Sequence, residues 1–240
     1  MIRQGHPAVA GSETATKVKK LMVENPIFGP EDINALNQLL GDDPMAKDET
    51  LQRLVWDDVI DIAERMNEPG VFTTIVGYEW GSTPGGNNLH RNVLFRDGPK
   101  RTKKILPFSA VHSDKPEELW AFLAKYESDT GGEAFAIPHN SNLSNGMMFA
   151  VEDSFGAPID AVHAKNRARY EPVVEVTQIK GDSEAHPFLS PDDEFADYET
   201  WDNTNIFGLS RTEPEMSRGS YARAALKNGL LIRSKVGVNP

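Results

Sequence analysis

The chain has 240 residues, with 36 acidic against 25 basic side chains, a formal charge of -11 and no cysteine. A pI near 5.0 argues against a duplex nucleic-acid partner, which demands a basic face to neutralise phosphates. The lack of cysteine removes thiolate catalysis, disulfides and cysteine-based zinc sites together, so any transition metal must be held by histidine and carboxylate.

No apolar stretch approaches the roughly 20 residues that span a bilayer, and Met1–Pro7 lacks the charged start and apolar core of a signal peptide. Residues 1–47 read as a helical, partly irregular cap: Gly29-Pro30-Glu31-Asp32 places proline at a first helical position with acids in the first turn, and Gly41 follows Leu39-Leu40 as a stop. An α/β domain is expected over 48–240. Its first helix has Leu51, Leu54, Val55, Val59, Ile62, Ala63 and Met66 at helical spacing as its core face, until Glu68-Pro69-Gly70 breaks the pattern.

Val71-Phe72-Thr73-Thr74-Ile75-Val76 then predicts a buried strand, being rich in β-branched and aromatic residues and bounded by Gly70 and Gly77. Glu79 stands at its carboxyl end. The turn Thr83-Pro84-Gly85-Gly86-Asn87-Asn88 has the glycines of an anion-cradling nest but lacks the Gly-Lys-Ser/Thr ending of a nucleotide loop. Asp114-Lys115-Pro116-Glu117 resembles a capping box before a helix with core face Leu119, Trp120, Leu123 and Tyr126, ending at Gly131-Gly132. The apolar run Ala134–Ile137 follows and ends in Pro138-His139-Asn140, and a third run carries Glu175 between Val174 and Val176. Residues 181–202 are acidic and turn-rich and read as a long loop over the site; Arg218–Asn228 returns to helix, and Leu230–Arg233 with Val236–Pro240 looks like the approach to a further strand. Alternation of helix and apolar strand argues for a mainly parallel α/β architecture, as a barrel or an open sheet, with sites at the strand ends.

Glu79, His90 and His139 form the leading candidate constellation, since imidazole and carboxylate suit Zn, Mn or Fe. The competing reading makes His90 a loop hydrogen-bonder and His139 a turn cap, and pairs Glu79 with Arg91. Arg91 reads either as an oxyanion clamp or as a partner of Asp97, and Asn140, Asn142 and Asn145 either as substrate contacts or as turn formers. Glu175 is a ligand, a support for the ligands, or a solvent-facing strand residue. Lys180, Asp182, Glu184 and His186 invite a metal reading without fixed spacings and fit a solvated acidic loop better, while His6, His112 and His163 read as surface residues. A noncatalytic module gripping a polar, carbohydrate-type ligand is the alternative function; it would leave the three candidate ligands apart and expose aromatics such as Trp80 and Trp201.

At Phe72–Trp80, Asn88–Asp97, Ala136–Asn140, Glu175–Gly181 and Tyr221–Leu226 the sequence resembles a domain-of-unknown-function family (number 3604), itself similar to the PHP (polymerase and histidinol phosphatase) metallohydrolases. The resemblance implies part of a distorted (β/α) barrel with up to three divalent metal ions at its strand ends, where metal-bound hydroxide attacks a phosphate or related ester of a small anionic or polar substrate. By motif, Glu79 corresponds to a bridging glutamate after a central strand, His90 to the histidine of the following turn and His139 to a proline-histidine motif. Glu175 is carried as a further metal candidate; Arg91, Asn140, Lys180 and Asn88 are substrate-side candidates. No His-x-His, Asp-His or Asp-x-His occurs, although PHP-like families open and close with such motifs. The chain therefore reads as an internal fragment, incomplete at both ends of the barrel and inactive alone, of a parent that relatives suggest is periplasmic or secreted.

Overall fold

The computed structural model describes residues 48–240 together with Thr16, Lys17 and Lys20, so the cap assigned to 1–47, with its helix after Gly29 and with His6, lies outside the described residues. The chain divides into two units, Met1–Val59 and Ile60–Pro240. In the first, Asp48 Oδ1 accepts the backbone N–H of Thr50 at 2.9 Å and so satisfies an orphan donor at the start of helix α1 (Glu49–Met66). The expected core face of α1 is not what it buries. Leu54, Val59, Ile62 and Met66 are exposed, whereas Trp56 and Ile60, one turn apart, are buried. The apolar residues of α1 spread over more than one face, and periodicity alone does not say which face packs.

The second unit is built on strands β1 (Val76–Trp80), β2 (Arg91–Phe95) and β3 (Ala134–Pro138), in the order β1-β2-β3. Both pairings are antiparallel, Val76 opposite Phe95 and Arg91 opposite Pro138, which replaces the mainly parallel sheet expected from the helix–strand alternation. No closed barrel forms among the described residues, and β1 is an edge strand with β2 at the centre. Pairing starts at Val76, and Val71, Phe72 and Ile75 are exposed, so the β-branched run before it is not the buried strand. Apolar β-formers mark a strand only where a partner edge is in register.

Strand alternation splits the sheet into two unlike faces. Val76, Trp80, Arg91, Val93, Phe95, Ala134 and Ala136 are buried on one face. Helix α3 (Pro116–Thr130) covers that side, with Phe95 and Tyr126 ring to ring at 4.8 Å; the short helix α2 (Pro99–Thr102) precedes it. Leu119, Trp120, Leu123 and Tyr126 are the buried stripe of α3, as their spacing implies, and Gly131 ends it in the left-handed conformation at φ 67. Its start is not the expected capping box. Lys115 is the N-cap, without a side-chain hydrogen bond, and Pro116 supplies the first helical position. Helix α4 (Ala161–Tyr170) begins at Asp160, whose Oδ1 accepts from His163 N at 2.8 Å.

The run Val173–Val176 forms no strand; Glu175 N donates to Pro138 O at 3.1 Å and ties it beside the end of β3. A two-residue turn at Ile179-Lys180 joins β4 (Thr177–Gln178) to β5 (Gly181–Asp182), after which the chain runs through turns. Helix α5 (Ala222–Val236) overturns the strand expected from Leu230: Leu226, Leu230 and Leu231 lie within one continuous helix, closed by Gly237 at φ 81.

Candidate metal centre

The face of the sheet turned away from α3 carries the site. Glu79 lies opposite Asn92 in the β1–β2 register, so it points away from its neighbours Tyr78 and Trp80. One residue beyond the β2–β3 ladder, His139 N donates to His90 O at 3.3 Å, which sets the two histidines opposite each other on adjacent strand ends. Their rings meet edge-on, 5.7 Å between centroids. Positions far apart in sequence therefore become neighbours by register.

Glu79 Oε1 accepts from both rings, from His90 Nδ1 at 2.7 Å and from His139 Nε2 at 3.1 Å. Those hydrogen bonds, from His139 and then His90, hold the Glu79 carboxyl far below its ordinary value of 4.5, against burial, which acts to raise it. The carboxylate is therefore ionised throughout the neutral range. The ligand atoms of Glu79, His90 and His139 lie within 4.8 Å of one another, and among the described residues they form the group able to hold a metal ion. Exposure is graded across it, from 6% for the His139 side chain through 18% for His90 to 51% for Glu79, so the group is anchored at one end and open to solvent at the other.

Glu175 stands outside this group, as its Oε1 accepts from Asn140 N at 3.3 Å and from Gln178 Nε2 at 2.8 Å. Arg91 neither pairs with Asp97 nor lies open to a ligand. It is buried on the α3 face, where its Nε donates to Glu171 Oε1 at 2.9 Å and its guanidinium lies 5.7 Å from the Trp80 ring centroid, while Asp97 pairs with Arg101. Trp120 Nε1 donates to the same Glu171 oxygen at 2.8 Å. Lys180 sits in the β4–β5 turn, its carbonyl accepting from Asn142 Nδ2 at 3.0 Å.

Asn88 and Asn140 are both fully buried, and Asn140 adopts φ 50 and ψ 43, the left-handed region that asparagine tolerates better than most residues. The glycine turn does not offer its amides to an anion. Gly86 N, Asn87 N and Asn88 N donate to Thr83 O, Pro84 O and Leu143 O, and Asn205 Nδ2 closes on Gly85 O at 3.1 Å. On the later loop His186 pairs with Asp202 at 2.5 Å, Asp182 accepts from Glu184 N at 2.9 Å and Glu184 pairs with Arg223 at 2.7 Å, so these residues do not gather around one point.

His163 is not at the surface: it is buried, Nε2 accepts from Arg167 at 3.2 Å and its ring stands edge-on to Trp120. Burial, and then Arg167, lower its pKa from the ordinary 6.5. Sequence reasoning missed Glu171, which closes α4 and whose only local signal is the following Pro172. Asn205 was missed for the same reason, since an asparagine in a turn-rich stretch looks like any turn former.

No curated protein and no solved structure matches the chain. The family model described as "Protein of unknown function (DUF3604)" matches residues 8–240, and the chain belongs to that family.

Proposed function

We propose that this chain carries the metal-holding part of a metal-dependent hydrolase acting on a phosphate or related ester. The observation that carries the reading is the convergence of Glu79, His90 and His139 within 4.8 Å. Two imidazoles and one carboxylate are a donor set that divalent Zn accepts while keeping a coordination position open, and that Mn and Fe also take. The donor set fits. A divalent cation bound there supplies Lewis acidity toward an ester oxygen and acidifies water.

The protein's own part is to position and to balance charge. His139, the most buried of the three, fixes the inner end, and Glu79, half-exposed, borders the side from which substrate enters. Glu79 brings the one carboxylate of the three to the point where the two imidazoles meet, so it supplies the anionic ligand. Arg91 is buried and committed to Glu171, so it does not serve as a clamp for an anionic ester. Three protein ligands suffice for one ion with an open position.

The carbohydrate-type module would leave Glu79, His90 and His139 apart, whereas they converge within 4.8 Å, and of its two platform aromatics only Trp201 is exposed while Trp80 is fully buried. The test loads the chelator-stripped protein with Zn, Mn or Fe and follows its hydrolysis of p-nitrophenyl phosphate and bis-p-nitrophenyl phosphate. The proposal expects turnover that metal restores and that Glu79→Ala and His139→Ala abolish. Turnover indifferent to chelation, or none on any ester with metal bound, contradicts it.

A further inference from the structure

We propose that Asn88 is a positioning residue for the metal centre, a clamp that holds the His139-Asn140 turn and so sets the spacing of His90 and His139. The inference rests on the reading of Glu79, His90 and His139 as ligands. Asn88 is fully buried at the end of the loop that carries His90. Its Nδ2 donates to His139 O at 2.7 Å and to Asn140 O at 3.1 Å, and its own N–H donates to Leu143 O at 3.1 Å. One side chain thus ties the β1–β2 loop to two successive carbonyls beside the second histidine.

Those carbonyls belong to a turn that needs holding. Asn140 has a left-handed backbone, which costs a non-glycine residue free energy and persists where neighbours over-determine it. Every main-chain polar group of the two residues has a partner: His139 N on His90 O, Asn140 N on Glu175 Oε1, both carbonyls on Asn88, and Asn140 O also on Leu143 N. Without Asn88 the His139 carbonyl loses its 2.7 Å donor, and the turn can relax to a right-handed or extended conformation that swings the His139 ring from Glu79. Asn88 is 0% exposed, so its role is to hold the ligands and not to touch substrate.

The test compares Asn88→Ala with Asn142→Ala, an equally buried amide whose Nδ2 serves Lys180 O and Trp201 O instead. Zn2+ affinity is measured by calorimetry at a temperature where all variants are folded, and the ring signals of His90 and His139 are followed by 1H–15N NMR with and without Zn2+. Asn88→Ala is expected to weaken Zn2+ binding about 10–100-fold and to move both histidine ring signals even in metal-free protein. Asn142→Ala should do neither, and adding Asn140→Gly to Asn88→Ala, which frees the left-handed turn of its strain, should recover part of the affinity. Unmoved ring signals in metal-free Asn88→Ala, or equal losses in the two alanine variants, overturn the clamp. Wild-type protein that binds no Zn2+ refutes the metal centre, and the metal-free ring signals then decide the clamp by themselves.

Discussion

Glu171→Ala strikes the joint between β2 and α4 on the side of the sheet away from the candidate metal ligands. The Arg91 and Glu171 side chains are 1% and 4% exposed, so the substitution leaves a guanidinium in the core without its counter-ion. It also strips Trp120 Nε1 of its acceptor. Breaking a buried ion pair from one side costs about 3–5 kcal/mol, which at roughly 2–4 °C per kcal/mol for a chain of this size is a fall in Tm of about 6–20 °C. Glu171→Gln keeps an acceptor oxygen and should lose less. The double variant Arg91→Met/Glu171→Leu, which removes both charges and keeps apolar volume, should recover most of the loss. Urea unfolding followed by tryptophan fluorescence reads this directly, because Trp80 and Trp120 are both buried beside the pair. A Glu171→Ala midpoint within about 0.5 kcal/mol of wild type, the range of ordinary surface substitutions, would refute the claim that this pair locks the helix layer to the sheet.

A Cβ on Gly77 would sit 2.6 Å from Val93 O, so Gly77→Ala should destabilise by about 1–3 kcal/mol in thermal melts. Gly81→Ala, whose nearest neighbour is His90 Nε2 at 3.8 Å, should stay near wild type, and equal losses would contradict the packing argument. His163 has a folded-state pKa below its ordinary 6.5, so the unfolded chain takes up its proton first; stability is intact above about pH 6.5 and falls as pH drops below it. His163→Gln should therefore flatten the Tm change between about pH 7.5 and about pH 5.5, and an unchanged slope would show that other groups carry it. Glu79→Gln removes the anionic ligand while keeping its shape, and calorimetry should show Zn2+ affinity lost at an unchanged fold, as judged by far-ultraviolet circular dichroism.

The candidate ligands were legible because two of them sit where apolar runs end. Glu79 and His139 each follow such a run, and His90 follows the glycine-rich turn after Glu79, which are local signals. Their convergence was the leading expectation beside a reading that left them apart, and the β1–β2–β3 register that brings them together sums over pairings that no single segment encodes. The α3 stripe was read correctly because Leu119, Trp120, Leu123 and Tyr126 leave one face to bury. In α1, apolar residues surround the helix and the choice fell to tertiary contact, so Trp56 and Ile60 were passed over. The strand direction failed for a related reason: helix–strand alternation suggests parallel crossovers, but the loop of residues 81–90 is short enough to turn β2 back on β1 as a hairpin. Arg91 showed the reverse problem, as a charged residue beside a candidate ligand invited a substrate role while alternation turned it into the core to meet Glu171, 80 residues on.

The claim that Glu79, His90 and His139 hold a metal ion is tested most directly by elemental mass spectrometry of the purified chain after loading with Zn, Mn or Fe and exhaustive dialysis. The account predicts bound metal near one equivalent per chain or above for the wild type, lost in Glu79→Ala and in His139→Ala while Asp97→Ala, on the opposite side of β2, retains it. Wild-type protein without metal, or the same content in all four proteins, would contradict it.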